Sequence, residues 1–409
     1  MELLHTDTLA EAREKLKTET ENFMLRIHRI PCDEALGCVC AETVTARENV
    51  PSFRHSTVDG YAIIAKDSYG ATDSNPAFYS VTGHVNIEER AAVSVMSGEA
   101  VQVQTGSMVP DEATAVLMVE YTETYSPNKI VGYKAVSEGE NITQIGEDMK
   151  MGDCLIRSGR KINARDVAMM AAMGIGTVQV YEPLVLTVIS TGDELVDMDE
   201  ELSGAKVRDI NSYGLAAQAR SNGFIVRKQM RIKDQETAIR QAVEEALDES
   251  DVILLSGGSS KGNKDYTKKI LEEITHNVFT HGISIKPGKP TILSYDRQHK
   301  TIIAGLPGHP MAAMLMFRLV ILDWYETIAK IPKGYPYFAV MQENVSSNQG
   351  REMCLLVRLV CGEEDYTAVP VYAKSGSISA LERADGYVMI PRNKEGLKKG
   401  ERVRVEVFE

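Results

Sequence analysis

Asp251-Val-Ile-Leu-Leu-Ser-Gly-Gly-Ser-Ser-Lys-Gly262 is the stretch on which the fold turns. The apolar, β-branched run from Asp251 to Ser256 predicts a buried strand of a parallel sheet. A turn dense in glycine and hydroxyls, Gly257 to Gly262, follows it, and Asp265-Tyr-Thr-Lys-Lys-Ile-Leu-Glu-Glu-Ile274 then takes up helical spacing. Strand, glycine turn and helix together build an anion cradle. Glycine lets backbone N–H groups approach a phosphate, and the helix N-terminus adds partial positive charge. Further on, Lys286-Pro-Gly-Lys-Pro290 holds two lysines on a stiff turn. A second strand-like run, Thr301-Ile-Ile-Ala304, leads into Gly305-Leu-Pro-Gly-His-Pro310 and a helical run from Met311. Any one of these loops reads as an ordinary βα turn. Three in succession, two with lysine, predict an anion site in the crevice where open α/β sheets bind ligands. The glycine spacing of Gly257–Gly262 imitates a Walker loop, but Asn263-Lys264 follows in place of Lys-Ser/Thr. No strand is followed by Gly-x-Gly-x-x-Gly, which excludes a dinucleotide fingerprint.

The α/β pattern begins upstream of this stretch, after Glu182-Pro183. Strand Leu184–Ile189, loop Ser190-Thr-Gly-Asp-Glu-Leu195, helix Asn211–Ser221, strand Phe224–Ile232, Asp234 and helix Gln235–Glu249 follow in order. Alternating strands and helices predict a parallel sheet covered on both faces. Residues 6–29 read as an amphipathic helix, and short strands follow to about Pro51. Residues 75–145 read as a small all-β unit with strands near 77–81, 100–104, 115–119 and 129–134. Asp59-Gly60 is a hairpin signal before it, and Thr105 stands in a turn within it. Asn163 caps a helix predicted to run to Gly174. Beyond the linker 331–336 the chain returns to β structure.

The chain has 409 residues, 43% hydrophobic and 25% charged, the profile of a multidomain globular protein. A net charge of −13 argues against nucleic acid as the main partner. Lys261, Lys264, Lys286 and Lys289 are a local exception to that charge. The six cysteines are scattered without a Cys-x-x-Cys pair, which fits a reduced, cytoplasmic protein. Met1–His5 carries no basic or long apolar segment, so no secretory signal is expected, and no membrane span either. No two of the eight histidines form His-x-x-x-His, so zinc has no support, and no Ser-His-Asp arrangement can be assigned. Asp59, Glu194, Asp234 and Asp265 sit in loops or at element ends. Carboxylates beside a phosphate cradle suit a hard cation such as Mg²⁺, although each alone reads equally as a helix cap or a solvated acid.

Ser56-Thr-Val-Asp-Gly-Tyr-Ala62, Thr105-Gly106, Gly146-Glu-Asp148, Ser190-Thr-Gly-Asp-Glu-Leu195, Ser256-Gly-Gly258 with Gly262 and Asp265, Lys286-Pro-Gly-Lys-Pro290, Gly305-Leu-Pro-Gly308 with Pro310, and Ser375-Gly-Ser377 occur in one order. In that order they resemble the molybdopterin molybdenumtransferases, the family that includes the E domain of gephyrin, over essentially the whole chain. The resemblance implies an elongated homodimer of α/β and all-β domains. Its parallel α/β molybdopterin-binding domain would span 183–330. Three smaller, mostly β domains would accompany it: an N-terminal linker domain with dimerisation helices (1–45 and 146–182), a small β domain (46–145) and a C-terminal β domain (331–409). It further implies Mg²⁺-dependent cleavage of adenylylated molybdopterin, transfer of molybdate to the dithiolene and release of AMP. Partners implied are the molybdopterin adenylyltransferase and the enzymes that receive the cofactor.

By the same resemblance, Asp59, Thr105, Glu194, Asp234 and Asp265 are the catalytic set, with Asp59 and Thr105 reaching into the partner subunit's site. Glu194, Asp234 and Asp265 would hold metal. Thr191, Gly192, Asp193, Ser256, Gly257, Gly258, Ser260, Lys261 and Gly262 would line the substrate site. Lys286, Lys289, Pro290, Pro307, Gly308, Pro310, Arg351 and Ser375 complete it, with Lys286, Lys289, Arg351 and Ser375 facing the oxyanion. The chain departs from the family pattern at Ser259, Lys261, Asn263, His309, Ala312 and Thr143. Two other readings stay open beside molybdenum insertion: a hydrolase of a pterin or nucleotide ligand, and a non-enzymatic scaffold on the same fold.

Overall fold

A computed structural model describes residues 6–257, 264–347, 350–363, 365–374 and 376–408, with the side chains of Lys264 and Asp265 outside the description. Its centre is a six-stranded sheet in the order Ile225–Ile232, Val185–Thr191, Val252–Gly257, Thr301–Leu306, Ile292–Asp296, Val278–His281. Residue alternation explains why the sheet is covered on both faces. Val252, Leu254, Ile302 and Ala304 point into one apolar core, whereas Ile253, Leu255 and Ile303 point into the other. The first four strands are parallel, as predicted. The fifth, Ile292–Asp296, runs antiparallel to both its neighbours, so the sheet is mixed rather than wholly parallel. That difference matters for the site. An antiparallel strand starts where its parallel neighbour ends, and Ile292 accordingly pairs with Gly305. The loops after Gly257 and Leu306 and the lysine loop before Ile292 therefore share one sheet edge.

Helix α1 is Leu9–Glu19, opened by a capping box between Thr8 and Glu11. It is shorter than the expected helix over 6–29, because the chain turns after Thr20 and Ile27–Pro31 forms a strand with Thr177–Tyr181. Leu9, Ala12 and Leu16 pack into the α/β core rather than into the linker domain to which 1–45 was assigned. Asp7 locks the helix there: it is buried, accepts hydrogen bonds from Lys15 (2.8 Å) and the Thr280 hydroxyl (2.9 Å), and donates its own N–H to Gly282 O (3.0 Å). The linker unit has its own core of Ala35, Cys40, Ile156, Ile162 and Val180, with helix α2 (Ala164–Ala172) capped by Asn163 as predicted. The small β unit is a six-stranded sheet with a core on each face.

Helices α3 (Asn211–Ser221), α4 (Glu236–Leu247) and α5 (Lys264–Thr275) lie close to their predicted bounds. Helix α6 (Pro310–Met316) has proline in its first turn, where a missing N–H costs nothing, and runs on through a π segment to Ile328. The C-terminal strands Glu352–Cys361, Tyr366–Pro370, Tyr337–Met341, Arg402–Val407 and Gly386–Ile390 close into a barrel, because the first also pairs with the last. A two-residue strand of the α/β domain, Ile285–Lys286, joins this barrel in parallel with Glu352 and Met353. No helix among the described residues is long and apolar enough to cross a membrane.

Leu16 is fully buried, and truncation there removes contacts that tie α1 to the α/β core. Leu16→Ala is expected to cost about 2–5 kcal/mol, read from urea unfolding of the α/β domain. A loss below about 0.5 kcal/mol would show that α1 rides on the surface instead.

Candidate active site

The lysine loop and the barrel enclose an open cleft of about 1280 Å³. Lys286, Lys289, Arg351 and Lys374 line it, and no Asp or Glu among the described residues does. None of these four cations lies within 4.0 Å of a carboxylate among the described residues. In a chain of net charge −13, unpaired cations around one concavity create a local field that gathers anions. Backbone geometry holds them together. Pairing of Lys286 with Met353 sets one lysine beside the segment that carries Arg351. Gly288 adopts φ +129°, and a Cβ there would stand 2.2 Å from Met316 Sδ, so the loop rests on the helix only as glycine. Cys354 also lines the cleft, its thiol pushed well above the ordinary range by burial.

A second cavity of about 510 Å³ adjoins the first, with three carboxylates and the guanidinium of Arg208 in its lining. Glu194, Asp209 and Asp234 line it with Ser190, Thr191, Gly192, Asn211, Ser256 and Gly257. Asn211, the first residue of α3, donates from Nδ2 to Ser256 Oγ (2.7 Å) and Gly308 O (2.8 Å), tying together the ends of two parallel strands. Asp209 accepts the Ser212 N–H at 3.1 Å and so caps the same helix. Gly257 has φ +128°, and a Cβ there would lie 2.2 Å from Thr191 O, which lets only glycine close the register with Thr191. Ser190 Oγ, Thr191 Oγ1 and Asn211 Oδ1 are buried without a hydrogen-bond partner among the described residues. Orphaned polar atoms on a cavity floor are expensive unless a ligand completes them. Gly308, His309 and Gly376 border both cavities.

The expected residues thus divide between two chambers. Thr191, Gly192, Glu194, Asp234, Ser256, Gly257, Gly308 and Pro310 line the acidic cavity. Lys286, Lys289, Pro290, Pro307, Gly308 and Arg351 line the basic cleft. Asp193 lines neither but supports Asp234, whose N–H it accepts at 3.4 Å. Gly258, Ser260, Lys261, Gly262 and Ser375 lie outside the described residues, as does the side chain of Asp265, the second residue of α5. No group of three or more His, Cys, Asp and Glu side chains suited to a metal occurs among the described residues. Asp59 and Thr105 line neither chamber. Asp209, Asn211, Tyr372 and Lys374 line the chambers yet were not singled out in the sequence. Lys374 directly precedes the Ser375-Gly-Ser377 motif, which was the available signal; Asn211 read only as a helix start.

Asp59 and Thr105 do form a pair. Asp59 Oδ1 accepts the Thr105 N–H at 2.7 Å and its hydroxyl at 3.0 Å, which holds the carboxyl below its ordinary range. A lowered folded-state value means a stabilising contribution that is present above the unfolded value and lost as pH falls through the folded one. Thr105→Val removes the hydroxyl bond and keeps the backbone bond. Carboxyl NMR titration is expected to show Asp59 moving part of the way back up; an unmoved titration would refute the contribution of the hydroxyl.

The chain matches the family models for the MoeA N-terminal region (domain I and II) over residues 7–174, a probable molybdopterin binding domain over 187–327 and the MoeA C-terminal region (domain IV) over 339–408. It is 32% identical over 390 residues to a molybdopterin biosynthesis protein of Methanocaldococcus jannaschii, covering 93% of this chain and 92% of that one. It is 29% identical to the molybdopterin molybdenumtransferase of Haemophilus influenzae, covering 98% of each. The solved MoeA protein of Pyrococcus horikoshii superposes with a TM-score of 0.84 at 31% identity over 99% of both chains. The chain belongs to the MoeA family of molybdopterin molybdenumtransferases.

Proposed function

We propose that the chain inserts molybdate into adenylylated molybdopterin with release of AMP, in an Mg²⁺-dependent reaction. One observation carries the reading: a cleft lined by four cations adjoins, across Gly308, His309 and Gly376, a cavity lined by carboxylates and unsatisfied hydroxyls. A free oxyanion needs the first environment. A pterin-nucleotide needs the second, with hydroxyls and amides for its polar edges and carboxylates for the cation that accompanies its phosphates.

The residues fit a hard cation, which takes oxygen ligands. Glu194 and Asp234 would hold it, with Asp265 joining them by sequence position, and it would supply neutralisation of the phosphate charge. Within the chain, Lys286, Lys289, Arg351 and Lys374 would draw molybdate in and hold it for transfer to the dithiolene. Ser190, Thr191 and Asn211 would orient the nucleotide end by completing their own hydrogen bonds. The positions are set before substrate arrives, by Asn211 bridging two strand ends and by the strand pairing that carries Lys286. Asp59 and Thr105 lie on the small β unit, away from both chambers of their own chain. The reading assigns them to the site of a second subunit in a homodimer. Supply of the substrate by an adenylyltransferase and delivery to molybdenum enzymes in the cytoplasm complete it.

The assay is incubation with adenylylated molybdopterin, Mg²⁺ and molybdate, following AMP; a folded protein that releases none overturns the proposal. Asp265→Asn is expected to lower the rate about a hundredfold, the effect of losing one preorganised electrostatic group, with the melting temperature unchanged. Full activity in that variant would remove Asp265 from the mechanism. Mixing Asp59→Ala with Glu194→Gln protein, each inactive alone, is expected to restore part of the activity through hybrid dimers. No recovery after confirmed subunit exchange would place each site within one chain.

A further inference from the structure

The Asn211 amide has only one way round. Its Nδ2 lies 2.8 Å from the Gly308 carbonyl, which can only accept, and 2.7 Å from Ser256 Oγ, whose own proton goes to Pro307 O at 3.3 Å. Both amide protons are thereby spent. Oδ1 is left as an acceptor in a fixed direction, on a residue 8% exposed that lines the acidic cavity, and it meets no donor among the described residues. Ser190 stands beside it. In the parallel register Ser190 is opposite Ser256, the residue that Asn211 bonds, and Leu186 and Val188 of the same strand pack into the core that holds Leu215 and Ala216 of α3. By alternation the Ser190 side chain is therefore on the α3 face, with Asn211, while Thr191 follows Ile189 to the other. Ser190 is 1% exposed and its Oγ is also without a partner among the described residues. The cavity floor thus presents a rigid acceptor next to a hydroxyl that can turn to donate.

We propose that Asn211 Oδ1 and Ser190 Oγ read an amino-substituted edge of the substrate's heterocycle, a ring carbon bearing NH₂ next to an unprotonated ring nitrogen. Asn211 accepts the amino N–H, and the Ser190 hydroxyl donates to the ring nitrogen. The inference deepens the functional reading of this cavity and rests on it. Adenine and a pterin both carry such an edge, so the shared chemistry is what the floor selects, and an oxo group in place of NH₂ would set one acceptor against another. Two buried polar atoms left open in the free protein are the cost of that selection.

Calorimetric titration with two pairs of probes tests this on the wild type, N211A and S190A. AMP is paired with IMP, and pterin-6-carboxylate with lumazine-6-carboxylate; in each pair oxygen replaces the amino group and a proton moves onto the neighbouring ring nitrogen. In at least one pair the amino compound is expected to bind roughly tenfold or more tightly. Which pair shows the difference identifies the heterocycle seated on the floor. N211A is expected to bring that ratio close to unity. S190A is expected to weaken the amino compound roughly three- to tenfold, yet to leave the melting temperature of the free protein no lower, because the hydroxyl removed is buried and unpaired. Equal binding within both pairs in the wild type, or no binding of any probe, overturns the inference without a variant, so it stays testable should N211A not fold. A ratio that survives in folded N211A, or an S190A protein that melts lower and binds as before, overturns it too. AMP release in the assay above is read separately and decides the functional reading alone.

Discussion

A two-residue backbone ladder holds the functional part of this protein together. Ile285 and Lys286 leave the α/β domain and pair with Glu352 and Met353 of the barrel. The junction is reinforced on every side. The Glu352 N–H reaches Ser284 O at 3.0 Å, the Ser284 N–H reaches Asp7 O at 2.6 Å, and Glu352 accepts the Leu9 N–H at 3.2 Å. Three segments far apart in sequence thus meet at one point. Backbone hydrogen bonds fix register more sharply than side-chain packing does, because a slip of one residue turns every side chain to the other face. The position of Lys286 relative to Arg351 follows from this ladder.

Charge segregation follows in turn. Cations and carboxylates in one open cavity would pair with each other and leave little field for a ligand. Here the cations come from the lysine loop and the barrel, and the carboxylates from loops at the other end of the α/β sheet edge. The wall between them is thin, made of two glycines and one histidine. Among the described residues the cleft is lined by cations alone and the cavity by three carboxylates beside the one guanidinium of Arg208, and the two share part of their wall. Glycine at 257 and 288 is part of the same economy of space. At both positions a Cβ would press into a neighbouring atom at 2.2 Å and the backbone is left-handed, so the loops lie flat against what supports them.

Much of the architecture was legible in the chain itself. Continuous apolar, β-branched runs identified the strands at 252–257 and 301–306, and glycine with proline marked the loops that follow them. Helix α3 occupies Asn211–Ser221 as read, because its caps and apolar spacing are local signals. The helix expected over 6–29 stopped at Glu19, since the strand partner of Ile27–Pro31 lies some 150 residues away and no local pattern announces it. The reversed direction of Ile292–Asp296 was equally hidden, as an apolar run looks the same in either direction.

The site shows the same division. Ordered motifs pointed to the family, the lysine loop and Glu194, because each depends on residue type and neighbouring glycine or proline; Arg351 and Asp234 came only with the resemblance. Only the tertiary structure sorted these residues into a basic and an acidic chamber and brought in Asp209, Asn211 and Lys374. It also set His309 on the wall between them. The physical reason is that burial, charge balance and hydrogen-bond completion belong to a place in space. That place is assembled from strand ends and a barrel edge far apart in sequence, such as Ser190 and Gly376 around one cavity.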